Sequence, residues 1–392
     1  MWPVGRFGKK LALFISLRYS KEHMVKLSSF LPAPPLAGLL VALLANTSPT
    51  QACTGIILRC LDGVVLAART MEFGFDIKSN ILVVPPGTKM TTLGLDPEHE
   101  GFTYEAKYGF LGANGLDMPI VFDGLNEAGL YYGAFYFAGH AVFGEASDAN
   151  RGKAVSSEEL GNWMLGQFAT VEEVVAGLKK IEVVGSYVKE IDGFAPFHYA
   201  VSDATGASVV IEYTAEGLTV HKNTVNAVTN TPTYDWHLTN LRNYVGLTPF
   251  NKETIEVGSL KLTPFGEGTG MVGLPGDLSS PTRFVRAVAF ANTALPSKTA
   301  KDGVFQAFHI LNVFDIPKGA IRNPAHKDLT DYTLWTSVGD TANKVYYYKT
   351  YQTQGVESVD VRKAVAGLKA PKIIKMESGF SVKDRTSELN GK

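Results

Sequence analysis

The sequence predicts one domain of mixed α and β structure behind a leader. Three observations carry this. β-rich runs stand near both ends of the chain, and capped helical periodicities gather in the middle. No internal repeat or long linker divides them. At ~150 residues per domain, 392 residues would make two or three domains; the undivided pattern overrides that prior.

The elements follow in chain order. Lys26 precedes an apolar stretch, Leu36 to Ala45, and Thr50-Gln51-Ala52 precede Cys53. A basic region, a short apolar region and small residues at a cut site describe a secretory signal. The stretch is about half of the ~20 residues a stable membrane span needs. Residues 1–52 are therefore expected to be a leader, with Met24 as an alternative start. Thr54 to Arg59 and Val64 to Arg69 read as strands, joined at Asp62-Gly63, a hairpin signal. Asn80 to Val84, Ser208 to Tyr213 and Val345 to Tyr351 also read as strands. Ser156-x-x-Glu159 and Thr170-x-x-Glu173 are capping boxes, each followed by apolar residues at helical spacing. Ser280-Pro281 reads as N-cap and N1 of a helix with Phe284, Val285 and Val288 inward. A further helix is expected over Val304 to Phe314, stopping before Pro317. The domain is expected over 53–375, with a polar, frayed tail at 376–392.

Composition excludes several functions. Hydrophobic residues make up 45% and charged residues 19%, an ordinary globular balance. The 37 Lys+Arg nearly cancel the 38 Asp+Glu, so no basic excess exists to neutralise phosphates, and no nucleic-acid partner is expected. The cysteines, Cys53 and Cys60, are too few for a disulfide framework or a cysteine-built zinc site. The histidines show no HExxH or HxH pairing, so no metal is expected. The run Gly266 to Gly273 superficially resembles a phosphate loop. No apolar strand is expected before it, no Lys-Ser/Thr follows, and Pro275 prevents a helix from starting there.

Cleavage after Ala52 would leave Cys53 first in the chain. Cys53 is then a lipid-bearing residue, an ordinary buried cysteine of a secreted protein, or a free N-terminal nucleophile. The last carries its own base. An α-amine has a reference pKa of ~7.7–8.0 and can take the thiol proton without a histidine. A nearby guanidinium would favour the thiolate. Arg69 is the first candidate and Arg59 the competing one. Cys60 reads as a buried structural cysteine.

Four ordered segments carry a resemblance. They are CTGIILRCLDGVVLAARTMEF (Cys53 to Phe73), FDGLNEAGL (Phe122 to Leu130), VTNTPTYDWHLTNLRNY (Val228 to Tyr244) and GLPGDLSSPTRFVR (Gly273 to Arg286). Together they resemble the choloylglycine hydrolase family, the N-terminal nucleophile hydrolases that include bile-salt hydrolases and penicillin V acylases. The resemblance implies an α+β fold, a four-layer αββα sandwich of two antiparallel sheets between helix layers. By position it makes Cys53 the nucleophile and Arg69 the arginine beside its sulfur. Asn230 becomes a donor to the oxyanion and Arg283 the second site arginine. Glu72 falls where the family usually has an aspartate holding the α-amine, so the carboxylate reaches one methylene further. Tyr136 falls where bile-salt hydrolases typically have asparagine and penicillin V acylases often have tyrosine. It offers an apolar wall for substrate.

The function this resemblance implies is hydrolysis of a linear amide through a thioester, with no cofactor. A signal sequence with Tyr136 looks more like the Gram-negative penicillin V acylase branch, acting on penicillin V or N-acyl homoserine lactones. A conjugated bile-salt hydrolase is the alternative. A secreted or lipid-anchored binding protein without turnover is the alternative of another class. The partners expected are a small-molecule amide and further copies of the chain in a homotetramer. The place expected is the periplasm or the medium.

Overall fold

The first hairpin forms as its residues dictate. Thr54–Arg59 is β1 and Val65–Phe73 is β2, antiparallel and in register from Thr54 opposite Thr70 to Arg59 opposite Val65. Gly63 makes the corner at φ +83°, a left-handed conformation glycine adopts without a Cβ clash. β2 runs past Arg69 because the strand Thr330–Asp340 pairs with its far half. Arg69 therefore stands inside the strand and not at its end. The computed structural model describes residues 52–92, 101–189, 193–324, 329–376, 379 and 382–390. The leader reading falls outside these residues except for Ala52.

Two sheets grow from this start. The first runs in the order Ala227–Val228, β1, β2, Thr330–Asp340, Val345–Thr350, Glu357–Asp360, with Ile321–Arg322 pairing Thr330–Asp340. The second runs Gly217–Lys222, Ser208–Thr214, Phe197–Ser202, Tyr131–Tyr136, Val121–Asn126, Phe110–Asn114, Ile81–Val84, Lys372–Ile374. Every pairing in both sheets is antiparallel. The sheets face each other. Asp123 of the second accepts hydrogen bonds from the Ser337 and Tyr346 hydroxyls of the first. On the outside, α1 (Leu160–Gln167) covers the second sheet. The helices that follow α2 (Val171–Leu178) and α3 (Tyr234–Asn240), namely α4 (Ser280–Thr293) and α5 (Ala300–Leu311), cover the first. This is the αββα sandwich, built on one continuous core.

Several expectations change in detail. Strands do not gather only at the ends. Phe110–Asn114, Val121–Asn126, Tyr131–Tyr136 and Phe197–Ser202 build the middle of the second sheet. All four are buried on both faces, so they lack the alternation that marks a half-exposed strand. Val121–Asn126 also carries a glycine for a packing reason: a Cβ on Gly124 would meet the Leu111 carbonyl oxygen of the neighbouring strand at 2.6 Å. The helix expected from Val304 starts earlier, at Ala300, because Thr299 caps it by accepting from the Asp302 N–H at 3.3 Å. At α4 the N-cap is Ser279, not Ser280. The Ser280 hydroxyl instead accepts from the Asn230 backbone N–H at 3.0 Å. The Thr170 cap of α2 forms as expected, accepting from the Glu173 N–H at 3.2 Å. The Ser156 and Glu159 side chains meet at 2.8 Å, but regular helix begins only at Leu160. No helix among the described residues is long and apolar enough to cross a membrane.

Candidate active site

Cys53 stands just before β1 and is 2% exposed. The Thr54–Thr70 register sets it beside Met71 and Glu72 on β2. Its Sγ lies 3.9 Å from Met71 Sδ. Its backbone N donates to Asn230 Oδ1 at 2.7 Å, and its carbonyl accepts from Arg283 Nη1. Burial pushes the thiol above its ordinary value, while the Arg69 guanidinium pulls the other way. A thiol buried like this needs a nearby base to ionise.

Arg69 is wholly buried, its Nη2 lying 3.7 Å from the same Met71 Sδ that the thiol faces. Its Nη1 donates to the carbonyls of Phe122, at 3.2 Å, and Ala134. Its guanidinium stacks 4.4 Å from the Phe135 ring centre. Arg59, the competing candidate, is exposed and donates to the Gly206 carbonyl at 2.6 Å. That removes Arg59 from the site.

Two distant segments complete the arrangement. Asn230 follows the strand Ala227–Val228, which pairs with β1. Its Oδ1 accepts from both Cys53 N and Arg283 Nη2, each at 2.7 Å, and its Nδ2 donates to the Tyr136 carbonyl at 2.9 Å. Arg283, on the first turns of α4, also reaches Thr54 Oγ1 at 2.9 Å and the Leu278 carbonyl at 3.0 Å. Both arginines are buried, so neither is a surface ion pair. Tyr136 ends its strand in the pocket wall, with Phe197 edge-on at 6.3 Å. Arg69, Glu72, Asn230, Arg283 and Tyr136 thus meet around Cys53.

Glu72 is 1% exposed, and its carboxylate accepts from Thr333 Oγ1 at 2.8 Å and Thr70 Oγ1 at 3.0 Å. The Cys53 nitrogen, still joined to Ala52, goes to Asn230 instead. Burial pushes the Glu72 carboxyl up to about 8, against the opposing pull of Arg283 and the two threonines. The folded value lies above the unfolded one. The stability Glu72 contributes is therefore present below about pH 4.5 and is lost as the pH rises through about 8. An ammonium freed at Cys53 would add a positive charge and favour the carboxylate. Glu72→Gln keeps the size and the hydroxyl partners. It is expected to leave the urea midpoint at pH 7 nearly unchanged and to lower turnover. A charged hydrogen bond is worth about 1.5–3 kcal/mol, which is about 10- to 100-fold in rate. Full activity in the glutamine variant, measured beside its urea curve, would show the carboxylate to be dispensable.

Cys53 opens on an apolar pocket lined by Met71, Phe73, Phe122, Tyr136 and Phe197. Sequence reasoning placed only Tyr136 in its wall; Met71 and Glu158 are among the members it missed. Met71 was findable, because β2 alternation puts Arg69, Met71 and Phe73 on one face. Glu158 had no local signal. It is buried, accepting from the Ala195 N–H at 2.9 Å and the Ser186 hydroxyl at 2.7 Å, and burial pushes its carboxyl up. The glycine-rich run needs one correction. A short apolar strand, Leu260–Leu262, does precede it, paired with Ile255–Val257. The next α-helix begins only at Ser280, so no strand–loop–helix phosphate site forms.

Residues 53–373 match the family described as linear amide C–N hydrolases, choloylglycine hydrolase family. The chain is 34% identical to a bile salt hydrolase/transferase of Clostridium perfringens over 79% of this chain and 93% of that protein. It is 25% identical to a penicillin V acylase of Pectobacterium atrosepticum over 87% of this chain and 89% of that one. A crystal structure of a variant conjugated bile acid hydrolase from Clostridium perfringens superposes with TM-score 0.74 and 30% identity, covering 84% of this chain and 99% of that one. The penicillin V acylase from Agrobacterium tumefaciens does so with TM-score 0.66 and 26% identity, covering 83% and 92%. Sandwich, site and relatives agree: the chain belongs to the choloylglycine hydrolase family and is a hydrolase of linear amide C–N bonds.

Proposed function

We propose that Cys53, freed at its amine by removal of residues 1–52, hydrolyses an N-acyl amide with a slim apolar acyl group, of the penicillin V or N-acyl homoserine lactone kind. The observation that carries this is the apolar pocket closing on Cys53 Sγ with Tyr136 in its wall. Its cavity is about 30 Å³, against about 300–1,000 Å³ for pockets that hold drug-sized ligands. The walls must part for any acyl group. A phenoxy or alkyl chain asks less of them than a rigid steroid.

The steps use the chain's own residues. The Cys53 α-amine takes the thiol proton, and Arg69 favours the thiolate. The sulfur attacks the amide carbonyl. Asn230 Nδ2 and a backbone N–H near Tyr136 hold the oxyanion. The protonated amine gives its proton to the leaving nitrogen. Water, activated by the freed amine, then releases the acid from the thioester. Glu72 orients the amine throughout. Export to the periplasm or the medium belongs to the same reading and rests on the leader pattern. A homotetramer, which the family resemblance implies, belongs to it too, and the exposed apolar ribbon Ile255–Leu262 supports it.

A second reading is a conjugated bile-salt hydrolase, favoured by relatives of that name at 31–36% identity. A hydrolysis panel decides between them. It holds penicillin V, glycocholate, taurocholate and acyl homoserine lactones of several lengths, with Cys53→Ala as blank. Cleavage of penicillin V or the lactones, with bile salts untouched, is the expected result. Preferred cleavage of the bile salts would overturn the substrate reading and leave the mechanism standing.

A further inference from the structure

Asn230 holds the Cys53 nitrogen with its side chain, so its own backbone must be held. It lies on a short bridge, residues 229–233, between the strand Ala227–Val228 and α3. Two carbonyls on that bridge face buried histidines. His198 Nε2 lies 2.8 Å from the Thr229 oxygen, and His237 Nε2 lies 2.9 Å from the Asn230 oxygen. The other nitrogen of His198, Nδ1, lies 3.1 Å from Glu212 Oε1. Both partners of the His198 ring are acceptors, a carbonyl and a carboxylate. The ring therefore bridges the Glu212 carboxylate to the Thr229 carbonyl.

Glu212 holds more than the histidine. Oε1 also accepts from the N–H of Tyr234, the first residue of α3, at 2.9 Å, and Oε2 faces His221 Nε2 at 3.2 Å. Burial would raise its carboxyl, but the hydrogen bonds from His198 and His221 outweigh that and hold it at about 2. One buried carboxylate thus pins both ends of the bridge: Thr229 through His198, and Tyr234 directly. The ring cannot turn away, because Phe137 stacks on it at 4.4 Å and 4°.

We propose that His198, clamped by Glu212, is a positioning residue that sets the Asn230 amide for its contacts with Cys53 and Arg283. The kinetic part of this rests on the proposed role of Asn230 in turnover; the geometric part does not.

Two variants separate positioning from mere packing. His198→Asn places an amide nitrogen where Nδ1 was, keeping Glu212 and losing Thr229. His198→Gln reaches the Nε2 position, keeping Thr229 and losing Glu212. Both remove the ring. A misplacement of about 1 Å at a reacting centre can cost about 10²-fold. His198→Asn is expected to lower kcat by about 10- to 100-fold with KM little changed, and His198→Gln to stay within about threefold of the parent. A purely structural role would lower both alike, in step with their melting temperatures, and would overturn the proposal. Crystal structures of the two variants give a readout that needs no substrate. Asn230 Oδ1 leaves hydrogen-bond distance of Cys53 N in the Asn variant and keeps it in the Gln variant. Retention of the contact in both overturns the proposal, whatever the panel says of substrate. If His198→Asn does not fold, the same two readouts pass to Glu212→Gln. There an unmoved Asn230 amide with parental kcat has the same overturning force.

Discussion

Cys53→Ala is expected to abolish turnover, and Cys60→Ala to leave it intact. Losing the nucleophile of a comparable catalytic unit costs about 10⁶ in kcat. The contrast is sharp because the two cysteines differ in surroundings and not in burial. Cys53 has the buried Arg69 guanidinium near its sulfur and an apolar pocket before it. Cys60 sits at the hairpin corner with carboxylates nearby. Burial first, then Asp62, Asp340 and Asp302, push its thiol up to about 11. Its sulfur packs 2.5 Å from where a Cβ on Gly303 of α5 would stand. Cys60→Ala should therefore cost stability, about 1 kcal/mol for a small buried group, and no activity. Steady-state rates beside thermal melts check both halves. Equal loss of turnover from the two variants would mean that the site is elsewhere.

Asn230→Ala should give the second largest effect. Removing one oxyanion donor costs about 10²–10³ in rate. Here the same truncation also orphans two buried groups, the Cys53 nitrogen and Arg283 Nη2, and breaks the bond to the Tyr136 carbonyl. Each unpaired group costs about 1–3 kcal/mol, so the urea midpoint should fall as well. Asn230→Asp keeps the oxygen that Arg283 and Cys53 use but lacks the Nδ2 donor. It should recover much of the stability and little of the rate. Recovery of both would show that the donor is not used.

The site was readable in two different ways. The β1–β2 hairpin is local, so Cys53, Arg69 and Glu72 come together from short-range pairing once Asp62-Gly63 is recognised as its turn. Asn230 and Arg283 lie 177 and 230 residues from Cys53. No spacing rule reaches that far, and only the family resemblance of their segments placed them. The second sheet was hard for a physical reason. Strands such as Val121–Asn126 are covered by α1 on one face and by the other sheet on the opposite face, and their Asp, Gly and Asn imitate a loop. Asp123 fits there because three hydroxyls, from Tyr131, Ser337 and Tyr346, converge on it. Glu158, Glu212 and His198 stayed hidden for the same reason. Each looks like an ordinary polar residue until its partners arrive from distant strands.

In the proposed mechanism Cys53 works with its own free amine as the base. The intact mass of the protein purified from cells that process it, with the N-terminal peptide sequenced, tests this. A chain beginning at Cys53, with an unmodified amine, is the expected result. A mass retaining residues before Cys53, or an acyl group on it, in a protein that still turns over its amide would rule the mechanism out, because the base would then have to be another group.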